Sequence, residues 1–509
     1  MEQYPSRRAQ AAGIEITPTT STQQTQTTAS PPPTKRTSRT MGSRRPSPKR
    51  RAVRDAIHTS LLGSACPDES LATYSRADPY WDEMWAPGSQ SLWSTGHSAR
   101  QRQLNGAGRK RTRRIMDRDE ALRVLTGNRG RIDRHTSWGV LQSWRTVTAE
   151  QLAAFTGSRY VLDPDYSQIA ASFALDVIDI GRLANYIDGT PGLGRQTLYR
   201  PTASESFKRL IEPTLTNPEH LTITAGQPWS AGGQYDRHNV LAAELALRAA
   251  EYLPVGAVLG EQLSSVDLLA GVGLGKKLPR PDNRRADGTL VRADGMRIVY
   301  ELTATTSQAF ENKVRRWAEV IAARPLETSG LTVVFIAAPH PDRANHINAS
   351  DPRTAIYKTI ARVLKDFPGR GKDSPAARIG VAHWEQWFPD RHMVSEDFLS
   401  LRADFAINDA TGPDRWAPRD LLGDYAFTPW HTFAATAVNE NIKLIAATPH
   451  WMRRGDHTHM IGSPMDRAGV EVPHPAPAKP HLVKGRALGA GVGNGGDAKL
   501  PPRLRIEWD

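Results

Sequence analysis

The sequence of 509 residues contains a single cysteine, Cys66. One cysteine cannot form an internal disulfide, and it excludes the zinc sites that several cysteines build together. No stretch approaches the roughly 20 apolar residues that a membrane-spanning helix needs, and the polar N-terminus lacks the apolar core of a signal peptide. We therefore expect a cytoplasmic protein that has no contact with a membrane.

Positive charge is concentrated in two stretches of the chain. The formal net charge is +13. Residues 1–54 hold eleven arginines and lysines against two acidic residues, and residues 100–114 hold seven basic residues and no acidic one. Such segments bind nucleic acid through counterion release and without sequence preference; a solvated tail is the alternative. The residues predicted to contact nucleic acid here are Arg44, Arg45, Lys49, Arg50, Arg51, Arg109, Lys110, Arg111, Arg113 and Arg114.

Composition and periodicity divide the chain into five segments. Residues 1–115 predict a disordered basic arm, because Thr, Ser, Gln, Pro and Arg dominate its first half and its aromatic second half has no clear period. Residues 116–225 and 226–405 predict two folded domains, so the chain belongs to the α/β class of multidomain proteins. Residues 406–460 predict a helical extension, and residues 461–509 form a loose tail rich in proline and glycine.

The first folded domain shows helices followed by a pair of strands. "DRDEALRVLTG" and "VTAEQLAAFTG" have helical spacing, a longer helix is predicted from about Ser167 to Ile187, and "RQTLYRPT" predicts a strand. This order is typical of a winged helix-turn-helix, whose third helix lies in a DNA major groove. Asp176 and Asp179 are unfavourable on a surface that faces DNA. Docking on another protein, or a plain helical bundle with a hairpin, is therefore an alternative.

From residue 236 the pattern is typical of a mixed sheet flanked by helices. "DRHNVLAAELALRAAEYL" predicts an amphipathic helix, and three short strands follow it. A helix ("SQAFENKVRRWAEVIAAR"), a buried strand ("LTVVFIAAP"), another helix and another strand complete the pattern. The order is α-β-β-β-α-β with a further α-β, which suits a sheet covered by helices on its faces.

The stretch "RADGTLVRADGMRIVYELTATTS", residues 285–307, predicts a β-hairpin with an acidic residue near each end. With a two-residue Asp-Gly turn, Asp287 and Glu301 would lie on opposite faces of the hairpin. With a three-residue Ala-Asp-Gly turn, Gly295 would adopt the left-handed conformation, and Asp287 would lie directly opposite Glu301. The sequence alone leaves both registers open.

The register decides whether the hairpin is expected to bind a metal ion. Two carboxylates that face each other repel unless a cation lies between them, so the three-residue turn predicts a Mg²⁺ site at Asp287 and Glu301. Such a site could polarise a phosphodiester and activate water. In the alternative interpretation, Asp287 caps the strand in solvent and Glu301 pairs with Arg285 or Arg297.

Several of these motifs resemble the replication-relaxation family, whose members occur on actinobacterial plasmids, phages and integrated mobile elements. The resemblance covers about Met116 to Pro339 and rests on "VTAEQLAAFTG", "LYRPT", "DRHNVLAAELALRAAEYL" and the hairpin with its lysine-bearing helix. It implies a winged helix joined to a restriction-endonuclease-like PD-(D/E)xK nuclease domain. It also implies a role in replicating, relaxing or mobilising plasmid-like DNA, with other proteins of the mobile element as partners.

The nuclease pattern transfers to this sequence only in part. Its two acidic positions match Asp287 and Glu301, but Thr303 occupies the lysine position. Threonine cannot supply the positive charge that stabilises a phosphate under attack. Lys313 could supply that charge, provided that its helix begins near Ser307 and crosses back over the sheet. The resemblance therefore implies Asp287, Glu301 and Lys313 as catalytic residues.

Two further sets of residues are weaker candidates. Glu244, on the helix before the hairpin, could be a supporting ligand, and the alternative is that it lies on a solvated helix face. Lys276 and Lys277 in "AGVGLGKKLPRP" are expected to face DNA phosphate from a flexible loop, since no Gly-Lys-Ser/Thr phosphate loop follows in frame.

The sequence leaves three functional hypotheses. The first is a DNA-binding protein for replication, relaxation or mobilisation of plasmid-like DNA, with a nuclease-like domain that is weak or inactive. The second is an active Mg²⁺-dependent nuclease or nickase that uses Asp287, Glu301 and Lys313. The third is an adaptor of the mobile element that binds nucleic acid without sequence preference.

Overall fold

A computed structural model describes the parts of the chain that carry the fold. The ranges it describes are 54–82, 84–85, 89–105, 115–187, 190–232, 235–265, 285–325, 328–339, 352–369, 371–407, 416–423, 425 and 435–453. The structure mixes helices and strands around a mixed sheet, which confirms the predicted α/β class. Within these ranges, no helix has the length and apolar character needed to cross a membrane.

The strands belong to a seven-stranded, a four-stranded and a two-stranded sheet. In chain order they are β1 (Ala56–His58), β2 (Gln90–Ser94), β3 (Val147–Thr148), β4 (Ile178–Ile187), β5 (Thr190–Pro201), β6 (Val255–Gly260), β7 (Gly288–Arg292), β8 (Arg297–Thr303), β9 (Leu331–Ala337), β10 (Ile379–His383), β11 (Met393–Ser395), β12 (Arg402–Ala406) and β13 (Trp416–Asp420).

The α-helices alternate with these strands along the chain. They are α1 (Gly96–Leu104), α2 (Arg118–Thr126), α3 (Arg131–Trp144), α4 (Ala149–Thr156), α5 (Ser167–Ala174), α6 (Asn217–Thr224), α7 (Asp236–Tyr252), α8 (Gln308–Ala323), α9 (Pro352–Lys365), α10 (Pro375–Arg378), α11 (Trp384–Trp387), α12 (Glu396–Leu399) and α13 (Ala435–Ile442).

The seven-stranded sheet has the order β13-β12-β10-β9-β8-β7-β6. Strands β8, β9 and β10 run parallel, and the other pairs are antiparallel. Every residue of β8 and β9 is buried, because helices cover both faces of the central strands. The order α7, β6, β7, β8, α8, β9 therefore matches the helix and strand order expected from the sequence.

Helix α8 covers one face of this sheet with an apolar stripe. Its buried residues include Phe310, Val314, Trp317 and Ile321, which recur at helical spacing. The helix begins after the N-cap Ser307, whose hydroxyl accepts a hydrogen bond from the backbone N–H of Phe310. The expectation that a helix begins near Ser307 is thus confirmed.

The long helix predicted from Ser167 to Ile187 is wrong in its second half. Helix α5 ends at Ala174, and the chain continues as strand β4 from Ile178. Asp176 has a positive φ of 55°, which interrupts the helix. The following stretch "VIDI" contains three β-branched residues, which favour a strand once the helix has ended.

Residues 54–82 and 89–105 are folded, although the sequence placed them in a disordered arm. Strand β1 pairs with β11, and β2 pairs with β4. Arg76 is buried and forms ion pairs with Glu244 and Glu251 of α7. These partners lie far away in the sequence, so local composition could not reveal them. The described part of the C-terminal extension contains α13, inside the stretch predicted to be helical, and also strand β13.

Candidate active site

The hairpin of β7 and β8 has the three-residue turn. Arg292 pairs with Met296, since its backbone N–H donates to the Met296 carbonyl at 2.8 Å, and Gly295 has a φ of 91°. Only glycine adopts this conformation without strain. The paired region ends with Gly288 opposite Tyr300, so Asp287, one residue before β7, lies beside Glu301, one residue after Tyr300. The register that predicted facing carboxylates is therefore confirmed.

Two side chains of α8 hold the carboxylate of Glu301. The Lys313 Nζ lies 2.6 Å from Oε2, and the Trp317 Nε1 donates to Oε1 at 2.9 Å. Lys313 and Trp317 are one turn apart on the helix, so both reach the same strand. Glu301 is buried, whereas the side chain of Lys313 is 33% exposed. Lys313 thus reaches the acidic residues of the hairpin from a helix that begins after Ser307, as expected.

Asp287 is half-buried at the start of β7. Its Oδ2 accepts a hydrogen bond of 2.6 Å from the backbone N–H of Leu302, the residue after Glu301. This bond fixes the Asp287 carboxylate beside β8. The solvent-facing cap of the alternative interpretation is wrong. The ion pairs proposed with it are also not formed, because Arg285 donates to the Gln262 side chain and Arg297 donates to the Ser329 carbonyl.

The site carries more negative than positive charge. Burial raises the pKa of Glu301 to about 7, and the charge of Asp287 adds to this rise, although Lys313 opposes it. Burial alone would lower the pKa of Lys313, but the charges of Glu301 and Asp287 outweigh burial and raise it. One ammonium group therefore serves two carboxylates, and the site favours an additional cation.

Two residues near this site were missed by sequence reasoning. Burial raises the pKa of Glu261, which follows β6, and Asp287 raises it further. Burial lowers the pKa of His238, in the first turn of α7, while Asp287 opposes that shift. Glu261 could have been found from its place directly after a predicted strand, once β6 was paired with β7. No sequence signal marks His238.

Glu244 lies in a different environment from either of its two interpretations. It is buried, and its carboxylate contacts Arg76 at 3.1 Å and Arg248 at 3.0 Å. The Gln151 side chain also donates to it. Glu244 is therefore a member of a buried ion network, not a supporting ligand and not a residue on a solvated face.

Thr303 does not replace the missing lysine. Strand alternation places it on the same face of β8 as Glu301. Its hydroxyl donates to the backbone carbonyl of Thr305 at 3.0 Å, so it stabilises the loop that leads to α8.

The donor set fits a cation that keeps most of its water ligands. Mg²⁺ binds through one or two carboxylates and several waters. Each oxygen of Glu301 accepts one hydrogen bond, but a carboxylate oxygen has two lone pairs. Asp287 and Glu301 can therefore still serve as ligands. Among the residues that the structure describes, no group of three or more His, Cys, Asp or Glu is arranged to hold a metal ion, so an ion that needs three protein ligands does not fit.

The predicted nucleic-acid contacts fall into two groups. The basic residues Arg44, Arg45, Lys49, Arg50, Arg51, Arg109, Lys110, Arg111, Arg113, Arg114, Lys276 and Lys277 lie outside the described residues. Helix α5, predicted to face DNA, is almost entirely buried: Ser167 is its one exposed residue and Ala170 is half-buried. As folded here, this helix offers little surface to a DNA groove.

Comparison with known proteins adds no relative. No family model matches the chain, and neither a curated protein nor a solved structure matches it. The likeness to the replication-relaxation family therefore rests on the sequence motifs quoted above.

Proposed function

We propose that this chain is a metal-dependent enzyme that cleaves phosphodiester bonds of DNA, with its active site at Asp287, Glu301 and Lys313. One observation carries the proposal. The register of the hairpin sets Asp287 beside Glu301. From the next helix, the Lys313 Nζ reaches the Glu301 carboxylate at 2.6 Å. An acidic pair that can bind Mg²⁺, with a cation beside it, is the set of groups that phosphodiester hydrolysis requires.

The chain's own residues have distinct tasks in this reaction. Asp287 and Glu301 would hold Mg²⁺, which supplies Lewis-acid chemistry at a phosphodiester. The Lys313 ammonium stabilises negative charge that develops on the phosphate. Trp317 orients Glu301 through its indole N–H, and the bond from Leu302 orients Asp287. Neither carboxylate has to reorganise during the reaction.

The element order supports two domain types for this function. The succession of α7, three antiparallel strands, α8 and the parallel β9 supports a PD-(D/E)xK nuclease-like domain. The succession of α3, β3, α4, α5 and the β4–β5 hairpin supports a winged helix. Because α5 is buried, we assign the main DNA contact to the two basic stretches. The proposed role is the replication, relaxation or mobilisation of plasmid-like DNA.

A plasmid assay tests the proposal. Full-length protein is incubated with supercoiled plasmid and Mg²⁺ or Mn²⁺, and the conversion to nicked or linear DNA is measured. Wild-type protein should cleave, Glu301→Gln should not, and chelation of the metal should stop cleavage. Asp294→Asn, at the other end of the same hairpin, is the matched control and should cleave as wild type does. Absence of cleavage by wild type, or equal cleavage by Glu301→Gln, would show that the proposal is wrong.

A DNA-binding protein without nuclease activity is the second candidate. Thr303 stands at the lysine position, and Lys313 already neutralises Glu301. In that case wild-type protein would bind the plasmid but would not cleave it in the presence of Mg²⁺ or of Mn²⁺. Its affinity would fall steeply with salt, as binding through basic segments does.

A further inference from the structure

We propose that Glu261 is a further acidic residue of this site and that Arg145, at the end of α3, positions it. The inference rests on the proposed function, since it assigns to Glu261 a part in attracting the cation of that site. Arg145 directly follows α3 and Glu261 directly follows β6, so this pair connects a helix of the N-terminal part with the seven-stranded sheet.

The ends of β6 and β7 place Glu261 near the acidic residues of the hairpin. Gly260 of β6 lies opposite Gly288 of β7. Glu261 follows directly after Gly260 and opens a short 3-10 helix, and Asp287 comes directly before Gly288. The paired ends of β6 and β7 therefore bring Glu261 near Asp287. The Asp287 carboxylate in turn contacts the backbone of β8 next to Glu301.

The charges of Glu261, Asp287 and Lys313 act on each other. The charge of Glu261 contributes to the raised pKa of Lys313, and Lys313 in turn lowers the pKa of Glu261 while Asp287 raises it. The three residues are therefore within electrostatic reach of one another. Because the described residues contain no group of three or more ligands arranged around one ion, Glu261 acts through its charge or through a water molecule.

Arg145 holds Glu261 from the helical side. Its Nε lies 3.7 Å from the Glu261 Oε2, and its Nη1 donates to the Ser230 carbonyl at 3.1 Å. Arg145 is buried and has a φ of 69°. A positive φ is strained for arginine, and such strain persists only where the surroundings enforce it. The residue directly after α3 is thus turned toward the end of β6.

The backbone of β6 is close enough for this contact only because of a glycine. A Cβ added to Gly260 would lie 2.5 Å from the Ser143 Oγ and 2.6 Å from the Ser143 carbonyl oxygen. The C-terminal end of α3 therefore packs directly on the end of β6. This packing sets Arg145, the residue directly after α3, beside Glu261.

The affinity for Mn²⁺ tests this role without relying on catalysis. The rise of the melting temperature with Mn²⁺ concentration gives an apparent Kd for the full-length chain, because an ion that binds the folded state stabilises it. Glu261→Gln should weaken the affinity about tenfold, as loss of a supporting residue at a metal site does. Glu261→Asp keeps the charge and should restore part of the affinity. Asp294→Asn should bind as wild type does.

Arg145 is tested by a double-mutant cycle. Arg145→Gln should weaken Mn²⁺ binding about threefold in the wild-type chain and should have no effect in the Glu261→Gln chain, because the two residues act together. Equal effects of Arg145→Gln in both chains would show that Arg145 does not act through Glu261.

The outcomes separate the two proposals. If Glu301→Gln loses Mn²⁺ binding and Glu261→Gln keeps it, the role of Glu261 is wrong and the proposed function stands. If wild-type protein shows no change of melting temperature with Mn²⁺, both the proposed metal-dependent function and the role of Glu261 are wrong.

Discussion

Two glutamates of this protein are equally buried and have opposite properties. Glu244 of α7 and Glu301 of β8 are each 1% exposed. Burial raises the pKa of a carboxyl group, yet the pKa of Glu244 is lowered to about 2, because Arg76 and Arg248 outweigh burial. The pKa of Glu301 is raised to about 7. The number of cations at each carboxylate accounts for this difference.

Two arginines contact the three carboxylates of the cluster around Glu244. Arg76 contacts Glu244 and Glu251, and Arg248 contacts Glu244 and Asp78, all at 3.1 Å or less. These contacts connect residues 76–78 with α7. At the hairpin, Lys313 is the cation that contacts Glu301. A buried carboxyl group whose pKa is raised is a candidate for function, whereas one that two arginines keep ionised is a candidate for structure.

The largest effect is expected when the arginine network around Glu244 is broken. Arg248→Met should lower the free energy of unfolding by about 3 to 5 kcal/mol, because it removes the arginine partner of the buried Asp78 and one of the two arginine partners of Glu244. Urea denaturation measures the loss. Arg315→Gln, on α8, removes an exposed ion pair with Asp366, the residue directly after α9, and should cost less than about 1 kcal/mol. Similar losses in the two variants would contradict the structural role of the network.

The pH dependence of stability should have opposite signs at the two glutamates. The folded-state pKa of Glu301 lies above its ordinary value of 4.5. Its contribution is therefore full below pH 4.5 and is lost as the pH rises through about 7. Wild type should lose about 3 kcal/mol relative to Glu301→Gln across this window.

Glu244 should behave in the reverse manner. Its folded-state pKa is lowered, so its contribution is present above pH 4.5 and is lost as the pH falls toward 2. Urea denaturation of wild type, Glu301→Gln and Glu244→Gln at several pH values measures both differences. If the two variants differ from wild type with the same sign of pH dependence, the contrast between the two clusters is wrong.

A smaller effect is expected at the turn that sets the register. Gly295→Ala should lower stability by about 1 kcal/mol, because alanine resists a φ of 91°. Gly63→Ala is the control, since a Cβ there meets no atom within 4 Å. Thermal unfolding compares the two variants. An unchanged melting temperature for Gly295→Ala would show that the turn does not need glycine.

Local sequence rules gave the hairpin and two possible registers for it, and the family resemblance selected Asp287, Glu301 and Lys313 as the candidate site. A three-residue turn with glycine fixes the register, and the register alone sets Asp287 opposite Glu301. Lys313 was implied by the resemblance on the condition that its helix begins near Ser307, where α8 does begin. These features depend on residues within about one helix or hairpin of each other, where periodicity is informative.

Distant partners were beyond those rules. Arg76 and Glu244 are 168 residues apart, and neither residue carries a local sign of its partner. The end of α5 was missed for a similar reason. The helical pattern of the sequence continues through Asp176, but the chain leaves the helix there with a positive φ. Tertiary packing determines both the contact of Arg76 with Glu244 and the end of α5, because it can stabilise a conformation that local propensity does not favour.

The rate of plasmid cleavage by Lys313→Met tests the central claim most directly. The account predicts that single-turnover cleavage with Mn²⁺ falls at least about a hundredfold, as happens when a group that stabilises charge in the transition state is removed. Arg315→Gln, two residues further along the same helix, should cleave at the wild-type rate. Cleavage by Lys313→Met as fast as wild type would contradict the assignment of Asp287, Glu301 and Lys313 as the active site.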